Sequence, residues 1–398
     1  MVRRQVPVGG LQFGMYVAEL DRPWTDTPFA FQGFHLRTDE QLETLKKFCK
    51  HVFVDLERTE RADRPSAPPR FSVRGANAYP EKVPVEAEVK QASEVYADAA
   101  DAVASLLQGV ETSGTILDSQ QVKECVARLA ESVVRNPDAL LLVSRLRQQN
   151  IAALARALQV SVYMIVFARF LGLAREELEL LGLLGLLQDV GKTRLPRAIL
   201  EKSGSLTVEE AEIARKHVEL SARILGATPG LPESLSDLAL LHHERQDGSG
   251  YPRKLRGDEI GLHGSIAAIA DTFDALTAVR PYAQPLSPSK ALSFLYKERG
   301  IGYHAELVEQ FIQCVGVFPV GAVVELNTGE HGIVISQNLV RRLKPKVMVV
   351  LDAQGHPVRP HKVLDLDKDP KAGPDEPYRI RRTLEQSRLQ VDPRELFL

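Results

Sequence analysis

Between positions 188 and 282 the chain gathers residue types that can hold a metal ion. Gln188-Asp189-Val190-Gly191-Lys192 comes first, followed by His217. His242-His243-Glu244-Arg245-Gln246-Asp247-Gly248-Ser249-Gly250-Tyr251-Pro252 comes next, then Asp271 and Asp274. Imidazole nitrogens with carboxylate oxygens suit zinc, iron or manganese. Any one of these residues ordinarily makes routine hydrogen bonds; ordered along one helical stretch, they argue for a shared ion. Asp189 follows the apolar run Leu180 to Leu187, so it is carried into the interior at a helix C-terminus. Desolvation and the helix dipole both oppose a carboxylate there, and it needs a cation. A metal is one answer; Lys192 or an arginine is the other.

The Gly-rich run 247–252 reads as a tight loop whose glycines let a ligand approach the backbone. Arg245, Arg253, Lys254 and Arg256 surround it, and Lys192, Arg194, Arg197 and Arg280 lie beside the other segments. Cations gathered at metal-like motifs suit an anionic substrate such as a phosphate ester.

The elements that must position these residues are mostly helical. Thr207 and Glu210 form a capping box, and the helix they open is expected to carry His217 on its inward face. His263 follows Gly261 in a connecting stretch and is expected to be exposed. The chain reads as multidomain: a mainly α-helical bundle over 85–316, flanked by two small modules. Residues 1–58 form an α+β module, with strands near Met15–Ala18 and Phe29–Leu36, a helix through Leu42, Leu45 and Phe48, and a strand His51–Asp55. Residues 59–84 are a Pro- and Ser-containing linker. Residues 317–366 alternate as a small antiparallel β module, with runs Ala322–Leu326, Gly332–Ile335 and Lys346–Leu351. A charged tail, 367–398, has a helical run near Arg381 to Ser387.

Length and charge agree. At 398 residues the chain has room for about two or three domains. Its net charge of -2 excludes bulk electrostatic binding to DNA or an anionic membrane. Cys49, Cys125 and Cys314 are odd in number with no CxxC pair, which reads as buried free thiols. The N-terminus lacks the apolar core of a signal peptide, and Leu180–Leu187 is too short to span a bilayer. A cytoplasmic protein without membrane insertion is expected.

The motifs resemble the HD-GYP family, helical phosphohydrolases of the HD superfamily that open bacterial cyclic di-GMP. The resemblance runs over His242-His243-Glu244-Arg245-x-Asp247-Gly248-x-Gly250-Tyr251-Pro252 and Leu255-x-Gly257-x-x-Ile260. It continues through Ala270-Asp271-x-Phe273-Asp274-Ala275-Leu276-Thr277 to Arg280-Pro281-Tyr282. Asp189-Val190-Gly191-Lys192 is similar to the family's HD-x-G-K segment. Gly14-Met15-Tyr16-Val17 resembles a domain of unknown function that precedes some members, and Phe318-Pro319-Val320-Gly321 resembles the start of their C-terminal extension.

The resemblance implies an HD-type bundle with a two-metal site. Asp189 would bridge the metals, His217, His242 and His243 would complete the second half-site, and Asp271 would serve the first. Asp189 and Lys192 would be catalytic, and Lys192, Tyr251 and Arg280 would hold the nucleotide. The chain departs from the pattern in one half-site. Gln188 stands where the family has the His of HD. A gap-free count puts Arg156 at the place of an earlier His, and no histidine lies between His51 and His217. One transition metal (Fe, Mn or Zn) per chain is therefore expected rather than two. Arg156 either pairs with Asp189 and Asp271 or swings to the surface. Lys254 also replaces a family Gly, and Ala283 a basic residue. The expected function is cyclic di-GMP signalling, with metal-dependent phosphodiester hydrolysis weak or lost. The alternative is a catalytically inactive cyclic di-GMP receptor or protein-interaction scaffold. The expected partners are cyclic di-GMP or a related cyclic dinucleotide and signalling proteins, with no DNA.

Overall fold

The computed structural model describes residues 3–22, 27, 29, 33–36, 39–56, 59, 72–113, 119–146, 152–202, 204–278, 285–374 and 376–384. Alternating apolar residues build the N-terminal module: β1 (Arg3–Pro7), β2 (Tyr16–Leu20), β3 (Phe34–His35), α1 (Asp39–Phe48) and β4 (His51–Asp55). The strands pair antiparallel in the order β1-β4-β2-β3. Leu45 from α1 and Val17, Val52 and Val54 from the sheet close a small separate core. β1 carries little strand signal and was not foreseen; it is mostly exposed and held by pairing with β4.

The helical block follows as α2 (Val85–Ser113), α3 (Ser119–Arg135), α4 (Pro137–Leu146), α5 (Ala152–Phe170) and α6 (Arg175–Leu187). After these come α7 (Arg197–Leu200), α8 (Val208–Arg215), α9 (His217–Gly226), α10 (Ser234–Ala239), α11 (Gly261–Thr277), α12 (Pro288–Glu298) and α13 (Ala305–Val315). α5 and α6 pack against each other at the centre. Leu158 to Ala168 and Leu181 to Gln188 are buried without interruption, as helices apolar on all sides must be. Tyr163, Phe167, Phe273 and Phe311 join α5, α11 and α13 edge to face. No helix among the described residues is long and apolar enough to cross a membrane. All three cysteines are buried and free.

Part of the segment read as a linker belongs to this block. Gly75 N–H donates to Leu171 O at 2.9 Å, Asn77 N–H to Gly172 O at 3.0 Å, and the Tyr79 hydroxyl to Leu173 O at 2.8 Å. A Cβ on Gly75 would stand 2.1 Å from Gly172 O, so the two backbones meet where only glycine fits. Residues 60–71 lie outside the described residues.

The C-terminal sheet contains β5 (Val323–Leu326), β6 (His331–Ser336), β7 (Lys346–Leu351), β8 (Pro357–Asp365) and β9 (Ile380–Leu384), antiparallel in the order β8-β7-β6-β5-β9. The helical run expected near Arg381 is corrected here to a strand. Backbone pairing with β5 fixes it, and Arg382 Nη2 meets the buried carboxylate of Glu325 at 2.6 Å. Residues 385–398 lie outside the described part. The sheet is tied to the helices through Asp138 on α4, which accepts from Ser336 Oγ at 2.8 Å and Gln337 N–H at 3.0 Å.

Candidate metal centre

Five segments deliver the site. α6 ends at Gln188 and hands Asp189 to a short 3-10 turn, Val190–Arg194. Gly191 presses that turn onto α9: a Cβ there would lie 2.2 Å from His217 O and 2.4 Å from Ser221 N. Its N–H donates to Ser221 Oγ at 2.8 Å. The capping box of Thr207 and Glu210 is present, but the helix it opens stops at Arg215. His217 instead begins α9, a correction to the continuous helix expected. It is buried, as expected. The turn after α10 supplies His242 and His243, and α11 presents Asp271 and Asp274 three residues apart on one buried face.

Asp189, His217, His242 and His243 each offer a ligand atom, all within 4.8 Å of one another. Their protonation follows from their partners. His217 Nδ1 donates to Ala214 O at 2.7 Å and His242 Nδ1 to Ala239 O at 2.8 Å. A carbonyl oxygen only accepts, so a proton sits on each Nδ1 and each ring turns its Nε2 inward, leaving that nitrogen as the one that could ligate an ion. Those two Nε2 atoms are 3.4 Å apart, and Asp189 Oδ1 lies 3.1 Å from one and 3.6 Å from the other. A cation placed among these three atoms could be shared by all of them, the two nitrogens then carrying lone pairs rather than protons. Burial, then the neighbouring His242, hold His243 well below the usual histidine range and keep it neutral. Four such donors fit a tetrahedral transition metal, and the backbone carbonyls behind two rings fix their orientation.

The other side of Asp189 is built differently. Its Oδ2 takes Lys192 Nζ at 2.5 Å and lies 3.8 Å from Arg156 Nε. Arg156 points inward, so the surface alternative is set aside. Its Nη2 donates to Asp271 Oδ1 at 2.7 Å, and its Nε lies 3.8 Å from Asp274 Oδ2. Gln188 Nε2 donates to the same Asp271 oxygen at 3.3 Å. Burial opposes ionisation of Asp271, but Arg156 holds its carboxyl well below the usual carboxylate range. Asp189 behaves alike, with Lys192 foremost among the groups that overcome its desolvation.

Tyr251 stacks on His243 with ring centroids 4.7 Å apart, and burial pushes its hydroxyl up to about 12. Arg215 lies over the Tyr251 ring at 5.2 Å, a contact the motif reading did not single out. Glu244 also gains a role. Fully buried, it accepts the N–H groups of Arg253, Lys254 and Leu255 at 2.6, 3.1 and 3.0 Å, pinning the loop over the histidines. Its place beside the His pair was the only signal for it. Lys254 adopts φ 55°, the left-handed conformation its family glycine would take without strain. His263 lies in the first turn of α11, half-buried and 3.5 Å from Glu177, not in an exposed connection. Arg280, Tyr282 and Ala283 lie outside the described residues.

Comparison with known proteins gives three family matches along the chain. The HD domain family matches residues 141–307, a domain of unknown function matches 3–117, and a KOW domain associated with HD domains matches 323–372. A cyclic di-GMP phosphodiesterase of Pseudomonas aeruginosa is 32% identical over 371 residues, 92% of this chain and 89% of that protein. A 3'3'-cGAMP-specific phosphodiesterase of Vibrio cholerae is 38% identical over 160 residues, 40% of this chain and 31% of that protein. An HD-G"Y"P protein structure from Bdellovibrio bacteriovorus aligns with TM-score 0.48 and 14% identity, over 78% of this chain and 98% of that one. With similarity to the Pseudomonas protein running through nearly the whole of both chains, this chain belongs to the HD-GYP family.

Proposed function

We propose that the chain is a cyclic di-GMP signalling protein that binds the dinucleotide beside one transition metal ion and hydrolyses it weakly or not at all. The single observation behind this reading is the asymmetry around Asp189: imidazoles on one side, guanidinium and ammonium on the other. Asp189, His217, His242 and His243 would hold the ion, which when bound supplies a positive charge for a phosphate oxygen and acidifies water. Asp271, the family's ligand for the first metal, is instead committed to Arg156 and Gln188. Two-metal hydrolysis clamps the attacking and leaving oxygens together, and half of that clamp is missing here. Lys192, one-third exposed and bonded to Asp189 Oδ2 at 2.5 Å, would share its ammonium between that carboxylate and a phosphate oxygen. Tyr251, stacked on His243 with Arg215 over its ring, would meet the nucleotide at its hydroxyl edge. Arg280 joins as a phosphate ligand on motif position alone.

The test pairs calorimetry with product analysis on the full chain loaded with Mn2+. Saturable binding of cyclic di-GMP, with turnover at least about 100-fold below that of the Pseudomonas relative assayed alongside, is expected. Turnover equal to that relative would overturn the reading. Running 3'3'-cGAMP in parallel decides between the two dinucleotides.

A further inference from the structure

The first half-site is a disagreement between this chain and the two-metal site its family implies, and the side chains there say what has taken the metal's place. Every group that faces an acceptor is a donor. Arg156 Nη2 and Gln188 Nε2 both point at Asp271 Oδ1, and Lys192 Nζ points at Asp189 Oδ2. Gln188 matters as much as Arg156. An imidazole at 188 would offer a lone pair to an ion; the Gln188 amide offers a proton to the carboxylate that would have been its fellow ligand. Asp271 Oδ1 thus already accepts two hydrogen bonds.

Charge gives the same answer. Arg156 lies within 4 Å of three carboxylates, those of Asp189, Asp271 and Asp274, which two α11 positions and the end of α6 bring to one point. Three clustered carboxylates cannot all stay ionised without a cation among them. A guanidinium is planar, permanently charged and able to serve several oxygens at once. Its Nε, buried and without a hydrogen-bond partner, sits 3.8 Å from both Asp189 and Asp274. Arg156 is thus a point of charge equidistant from two carboxylates and bonded to the third, as a bridging ion would be.

We infer that Arg156 is the resident cation of the first half-site: it replaces the family's first metal and acts as a positioning residue that holds Asp189, Asp271 and Asp274 together. The inference builds on the one-ion reading above but concerns the opposite side of Asp189.

A guanidinium standing in for a metal should be replaceable by one. The experiment titrates Mn2+ into full-length apoprotein, reading bound metal by mass spectrometry and melting temperature by scanning calorimetry. The wild type is expected to bind one Mn2+. Arg156→Ala, which takes the guanidinium from among the three carboxylates, should melt lower than wild type without metal. It should recover in millimolar Mn2+ as a second, at least tenfold weaker, equivalent binds. Arg156→Lys keeps the charge and should stay at one equivalent. Arg156→His with Gln188→His, which turns two donors into acceptors, should bind two equivalents and does not depend on Arg156→Ala folding. Two ions in the wild type would overturn the inference. So would an Arg156→Ala protein that melts like wild type and takes no second ion, or a double-His variant that stays at one. A wild type that binds none, beside a double-His variant that binds one, would sink the one-ion reading and leave the role of Arg156 standing.

Discussion

Asp189 divides two neighbourhoods of opposite character. On its Oδ1 side, His217 and His242 turn Nε2 inward because backbone carbonyls engage their Nδ1 atoms. On its Oδ2 side, Lys192 and Arg156 supply charge directly. Both sides sit in the same buried helical core and share one carboxylate, yet one asks for an exchangeable ion and the other has a covalently tethered cation. On the reading proposed above, a half-site gives up its metal without leaving its carboxylates exposed to one another, because donors arrive with the loss.

The largest effect is expected on the acceptor side. Replacing His242 and His243 together by Ala removes two of four ligands, and metal affinity should fall by at least about 100-fold, read by metal analysis after dialysis. Retention of the ion would place the metal elsewhere. Conversion of the donor side comes next. With His at both 156 and 188, cyclic di-GMP cleavage should rise by about 100-fold, and either change alone should do less, because each leaves the first metal one ligand short. A wild type already at full activity and indifferent to these changes would break the comparison.

A buried carboxylate without a cation sharpens it further. Asp138 is as buried as Asp271 but is met by a hydroxyl and an amide rather than a guanidinium, and burial pushes its carboxyl up to about 6. Its folded value exceeds the unfolded one near 3.8, so the native state binds the extra proton. The stabilisation is full below that value and lost as pH rises through about 6. Asp138→Asn should remove this part of the pH dependence, about 2–3 kcal/mol between pH 4 and 7, read from denaturant unfolding at several pH values. An unchanged pH profile would show that Asp138 is not its source. The smallest effect is expected at Lys254. Lys254→Gly relieves a left-handed conformation and should stabilise the fold by about 0.5–1 kcal/mol; a loss of stability would mean that the lysine side chain contributes more than the strain costs.

Much of this was legible in the sequence, and the gaps have physical reasons. Residue types alone pointed to a metal-like cluster, the HD-GYP resemblance picked out Asp189, His217, His242 and His243 within it, and these four come together here. The direction of Arg156 was not. Its neighbours Leu154, Ala155, Ala157 and Leu158 are apolar on every side, and only packing against α11 turns it inward. Glu244 and Arg215 act on a loop and a ring brought in from other segments, which spacing cannot encode. β9 was hidden because a short charged strand takes its conformation from pairing with β5, not from its own periodicity.

The meeting of Gly75 with Gly172 also sets where this protein can be cut. A fragment beginning at α2 would look complete, since every helix would be present. It would nonetheless strip the carbonyls of Leu171, Gly172 and Leu173 of the donors they now have, at the turn joining the two helices on which Arg156 and Asp189 depend. Bare carbonyls at a packed turn are costly. The smallest self-sufficient unit of the helical block therefore begins near residue 72, one short strap ahead of its first helix.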